Sequence, residues 1–132
     1  MHIRIKIVFL FTVAWIVFSG FSAGESQLSK LMLVMKKDMY KMREDLNSGN
    51  ITARFNKKRY EKIYTAKVSS ESKKGEHFNE YAKAFLVQCE RMNNAAQDQR
   101  KIEYNNLVSA CIRCHESYCP WPLTMLKKIK LN

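Results

Sequence analysis

Between residues 27 and 47 the side chains Leu28, Met32, Met35, Met39, Met42 and Leu46 recur at steps of four, three, four, three and four. That rhythm lays one narrow apolar stripe along a helix of about six turns, whereas a strand would alternate every second residue. A helix of this kind is stable only if the rest of the chain supplies partners for the stripe. Glycine and proline number only four and two against 46% hydrophobic residues, which favours further helices.

The run Asn47-Ser48-Gly49-Asn50 supplies turn chemistry, and Thr52 is a candidate N-cap for a second helix over residues 53–68. This helix would carry Phe55, Tyr60, Ile63 and Tyr64 on its apolar side. Its polar side holds Arg54, Lys57, Lys58, Arg59, Lys62 and Lys67, with Glu61 as the only acid. After a Ser- and Lys-rich connection over 69–75, Phe78, Tyr81, Ala82, Phe85, Cys89, Met92 and Ala96 mark the face of a third helix that ends near Asn93 or Asn94. A fourth is expected over 98–118, with Ile102, Val108, Cys111, Ile112 and His115 inward, and Pro120 pushes Cys119 out of helical geometry. Short connections make sequential helices antiparallel neighbours. The sequence thus predicts a single all-α domain, an antiparallel up-down-up-down four-helix bundle, with no repeat and no strand.

Residues 1–24 have a different character. Arg4 and Lys6 precede an uncharged apolar run over 7–18, followed by the small residues Ser19, Gly20, Ser22, Ala23 and Gly24. This is the layout of a secretory signal peptide cleaved before Glu25 or after Ala23, with an uncleaved anchor as the competing reading. The domain proper is then 25–132, exported, periplasmic and without a stable membrane span. Residues 1–24 contain no acid, so 25–132 keep a formal charge of +9 out of the +11 of the whole chain. For an exported protein such charge points to acidic protein surfaces or anionic headgroups rather than nucleic acid, although many of the lysines simply solvate helix faces.

Near the C-terminus stands "SACIRCHESY", residues 109–118. Cys-x-x-Cys-His is the attachment signature of c-type haem. On a helix Cys111 and His115 are four residues apart and Cys114 three from Cys111, so both thiols and the imidazole project to one side. The sulfurs can form thioethers while His115 provides the proximal ligand to iron. A thioredoxin-like redox pair would need a βαβ setting, a structural zinc site would need a fourth ligand, and the match could be accidental. In the expected hairpin of helices three and four, Cys89 lies beside about residue 103 and Cys119 faces about residue 73. At 1.5 Å rise per residue they are on the order of 20 Å apart, beyond disulfide reach. Cys89 therefore reads as a buried apolar residue and Cys119 as an unpaired thiol.

Helix one runs antiparallel to helix four, which brings its N-terminal half, with Met32 and Met35, toward the motif. A thioether opposite histidine raises the reduction potential, but a row of methionines is also ordinary core filling. His77 is level with His115 and is the other candidate sixth ligand.

These residues together resemble the cytochrome c-prime superfamily of four-helix monohaem proteins. "CIRCHESY" is similar to that group's ending Cys-x-x-Cys-His-x-x-Tyr, at Cys111, Cys114, His115 and Tyr118. "LMLVMKKDM" resembles the Leu-Met-x-x-apolar-x-x-Asp-Met pattern of six-coordinate members, which selects Met32 as distal ligand and places Met35, Asp38 and Met39 at the following positions. Aligned by distance to the turn at 47–50, the ligand would be Met35. The resemblance spans residues 27–119 and departs after Tyr118, where relatives carry a basic residue near a haem propionate and this chain has Cys119 and "PWPLTMLKKIKLN". Helix two or this tail would then have to neutralise propionates, and Trp121 could cover a haem edge.

The resemblance implies one covalent haem c and electron transfer, and the basic charge points to a redox partner with an acidic docking surface. Five-coordinate relatives bind nitric oxide or carbon monoxide, the alternative function for this chain; a non-haem structural or thiol-redox bundle is a third. Such bundles can form homodimers through helices one and two. No nucleophile with a paired base and no phosphate-cradling glycine loop suggests an enzyme.

Overall fold

The computed structural model describes residues 25–50, 52–69, 74–120 and 122–132; the expected signal segment and Trp121 lie outside the described residues. The architecture is all-α, with no strand among the described residues. Its helices are α1 (Gln27–Asn47), the single turn α2 (Lys57–Tyr60) continued by a 3-10 turn (Glu61–Ile63), α3 (Phe78–Asn94), α4 (Arg100–Tyr118) and α5 (Leu123–Lys128). Packing of α3 on α4 dominates the tertiary structure.

α1 begins where the Ser26 hydroxyl accepts from the Ser29 N–H at 3.1 Å. It ends at Gly49, whose φ of +80° is the left-handed conformation that closes a helix without steric cost. The Asn50 N–H returns to the Asp45 carbonyl at 2.8 Å and satisfies an otherwise open acceptor. Its buried stripe is Leu31, Met35, Met39, Met42 and Leu46. Leu28 and Met32 of the predicted stripe are only half-buried.

The expected second helix is much shorter than residues 53–68. Asn93 captures the backbone of Phe55 from both sides: its Oδ1 accepts the Phe55 N–H at 2.8 Å and its Nδ2 donates to the Phe55 carbonyl at 3.0 Å. A backbone so engaged cannot join a helical ladder, so the turn starts later. Asn56, not Thr52, is its N-cap, accepting the Arg59 N–H at 3.0 Å. Thr52 instead donates both its N–H and its hydroxyl to the side chain of Asn50. The segment still runs back along α1, tied by Tyr60 Oη donating to Asp38 at 2.6 Å and by the Leu28 N–H donating to Lys67 O at 3.0 Å.

α3 and α4 are antiparallel: Gln88 donates to Glu103 near the turn, while Phe78 packs edge-on against Tyr118 at the far end, ring centroids 5.7 Å apart. α4 buries Tyr104, Leu107, Val108 and Ala110. Ile102, expected inward, is 53% exposed. Two residues before Tyr104, it is turned by roughly 200° from that stripe. α1 also runs antiparallel to α4, with Tyr104 Oη donating to the Met39 carbonyl at 3.1 Å and Arg100 near Met42 Sδ at 3.9 Å. The tail, read from sequence only as a departure, folds back on α4 as α5 and buries Leu126, Ile129 and Leu131.

Candidate cofactor site

The last two turns of α4 carry Cys111, Cys114, His115 and Tyr118, and all four border one cavity of about 730 Å³. That is within the roughly 300–1,000 Å³ usual for cofactor and small-molecule sites. α1 contributes Leu28, Met32, Met35 and Met39, α3 contributes Phe78, Tyr81, Ala82 and Phe85, and the tail contributes Met125, Leu126 and Ile129. The walls are therefore apolar and aromatic, with the thiols and imidazole gathered on the α4 side. Leu28 and Met32 are half-buried, packing against the core on one side and bordering this space on the other.

Helix spacing explains the grouping on α4, and the α1–α4 register explains what lies opposite. Stepping seven residues along α4 from Tyr104 reaches Cys111, and seven back along α1 from Met39 reaches Met32. Met32 is thus level with Cys111. Met35 and Met39, 6% and 4% exposed, are more deeply packed. Met42 lies at the other end of the molecule, beside Arg100.

His115 is held in one orientation. Its Nδ1 lies 3.0 Å from the Cys119 carbonyl. A carbonyl can only accept, so Nδ1 is the donor, and in the neutral imidazole this leaves the lone pair on Nε2, the tautomer that ligates a metal. The Cys119 N–H in turn donates to the His115 carbonyl at 3.0 Å.

Burial pushes the Cys111 thiol up to about 12, with the adjacent Cys114 adding to the shift. Burial and the neighbouring Cys119 push Cys114 up to about 11. A thiol-disulfide catalyst needs the opposite, a thiol lowered toward neutrality. Among the described residues no group of three or more His, Cys, Asp or Glu is placed to hold a metal ion, so the zinc reading lacks its ligand set.

The other sequence candidates sit elsewhere. His77, just before α3, has a side chain 62% exposed and faces Glu80 at 3.3 Å, outside the cavity walls. Cys89 is fully buried in the core. Cys119 borders the cavity. Sequence reading missed Met125 and the aromatic wall. The signal for the first was present: Leu123, Leu126 and Ile129 step by threes after Pro122, a helical pattern behind a proline that favours helix starts.

Tyr118 is seated by close approach to Gly75. A Cβ at position 75 would lie 2.9 Å from the Tyr118 ring, so glycine there lets the ring pack between Phe78 and Tyr81.

No family model, no curated protein and no solved structure matches this chain. Among the described residues no helix is long and apolar enough to cross a membrane.

Proposed function

We propose that this protein is an exported monohaem c-type cytochrome of the four-helix-bundle kind, working as a periplasmic electron carrier. The observation that carries the reading is the placement of Cys111, Cys114 and His115 together on the α4 wall of a large apolar cavity. Haem, when bound there, supplies a one-electron couple and a flat apolar macrocycle with two vinyl groups. The residues present suit it. Cys111 and Cys114 would hold the macrocycle through thioether bonds to its two vinyl groups, a thiol addition that needs no oxidant. His115 offers Nε2 to the iron while the Cys119 carbonyl fixes its ring. Phe78, Tyr81 and Phe85 supply flat apolar surface and keep water out.

Met32 is the favoured sixth ligand, because it borders the cavity level with Cys111 and is less tightly packed than Met35. Both sulfurs remain in reach of the same space. The charge of +9 on residues 25–132 suits docking to an acidic redox partner, at a rate that falls with ionic strength.

The test is the visible spectrum of the full chain matured with haem-attachment machinery, reduced, with and without carbon monoxide. A low-spin spectrum unmoved by the gas supports the electron carrier, and Met32→Ala should convert it to a form that binds the gas while Met35→Ala should not. A high-spin spectrum that shifts with carbon monoxide replaces this reading with gas binding at an open iron.

A further inference from the structure

The tail is tied to α4 at both ends. At its start the Cys119 carbonyl accepts from His115 Nδ1 at 3.0 Å. At its finish Asn105 grips the backbone of Leu131: Nδ2 donates to the Leu131 carbonyl and Oδ1 accepts the Leu131 N–H, both at 2.8 Å. Asn105 thus satisfies both backbone groups of one residue, which fixes the register as well as the position of the returning chain. Between the two ties the chain turns at Pro120, where the Leu123 N–H reaches the Pro120 carbonyl at 3.1 Å, and then forms α5. Proline at 120 and 122 fixes φ at two positions of this connection. Side chains from this strap, Met125, Leu126 and Ile129, form a wall of the cavity that contains His115.

We propose that Asn105 is a positioning residue for His115: by latching Leu131 it holds the strap 122–131 against α4, fixes the Cys119 carbonyl, and keeps the proton on Nδ1 so that Nε2 faces the cavity. The inference deepens the reading of His115 as a ligand and rests on it for its functional meaning.

The latch is separable from the fold of α4. Asn105 is half-buried beside the fully buried pair Tyr104 and Leu107, so Asn105→Ala removes the latch without touching the core face. Leu131→Pro removes the Leu131 N–H from the opposite side and leaves α4 unchanged in sequence.

The experiment is nitrogen NMR of the imidazole in the full chain, read in the haem-free form and in the reduced low-spin form, which is diamagnetic. The wild type should show an Nδ1–H tautomer with a slowly exchanging proton. Asn105→Ala should speed that exchange about tenfold, as the hydrogen bonds to Leu131 are lost, with a rise in the Nε2–H tautomer in the haem-free form. Leu131→Pro should move both readings the same way. His115 signals unchanged in both variants, with the amides around Leu131 exposed, would overturn the proposal. Failure to attach haem would sink the proposed function and still leave the haem-free reading to decide this one.

Discussion

The two ends of this molecule use the same side-chain types for opposite purposes. At the end near the α3–α4 turn, Met42, Met92, Tyr104, Leu107 and Val108 fill space; the last four have no exposure at all. Backbone there is tied down by side chains, with Asn93 holding Phe55 and Arg100 Nη2 donating to the Ala53 carbonyl at 2.5 Å. At the other end Met32, Met35, Phe78 and Tyr118 stand around about 730 Å³ of cavity. The methionine stripe of α1 passes from one regime to the other within a few turns. A helical apolar period therefore reports which face is inward, and the partner elements decide whether that face meets side chains or an open cavity.

The largest expected effects break the filled end. Leu107→Ala and Met92→Ala should each cost about 2–5 kcal/mol in urea unfolding, because neither site has room to relax. Met32→Ala in the haem-free chain should cost less than about 1 kcal/mol, since its side chain already borders open space. Comparable losses for Met32 and Leu107 would erase the distinction between the ends.

A second test uses pH. The Cys111 and Cys114 thiols have folded values of about 12 and about 11 against an ordinary value of 9.0. Below about 9 the thiols are protonated in both states and their contribution is fully present. Between 9 and 12 the unfolded chain releases protons that the folded chain retains, so stability falls as pH rises. Burial of Tyr60, Tyr104 and Cys89 acts in the same direction. In the haem-free protein the urea midpoint should decline through this window, and less steeply in the double variant Cys111→Ala/Cys114→Ala. An equal slope in both would remove the buried thiols from the account.

Smaller effects sharpen the ties between elements. Tyr60→Phe should cost about 1–2 kcal/mol, as it deletes a 2.6 Å bond to the Asp38 carboxylate and leaves the ring packing against Phe85 intact. Gly75→Ala should perturb the near-ultraviolet signal of Tyr118 with little change in helix content, because the new methyl meets only that ring. Helix loss instead would place the role of Gly75 in the backbone.

Much of this was legible in the sequence. The spans of α1 and α3 follow from regular three-and-four spacing, and the motif spacing alone puts Cys111, Cys114 and His115 on one side of α4. Other features depended on contacts distant in sequence. The second helix is cut short by Asn93, thirty-eight residues from Phe55. The tail helix depends on Asn105 and on burial against α4. The cavity arises because five separate segments fail to fill the space between them, which no single segment's periodicity encodes.

Covalent haem on Cys111 and Cys114 is the proposal on which the functional reading depends. Its most direct measurement is haem-dependent peroxidase staining after denaturing electrophoresis of the full chain, matured with haem-attachment machinery, beside Cys111→Ala/Cys114→Ala. The expected result is a stained band at the mass of the chain that is absent from the double variant. A wild-type band without stain, from cells whose other c-type cytochromes do stain, would contradict it.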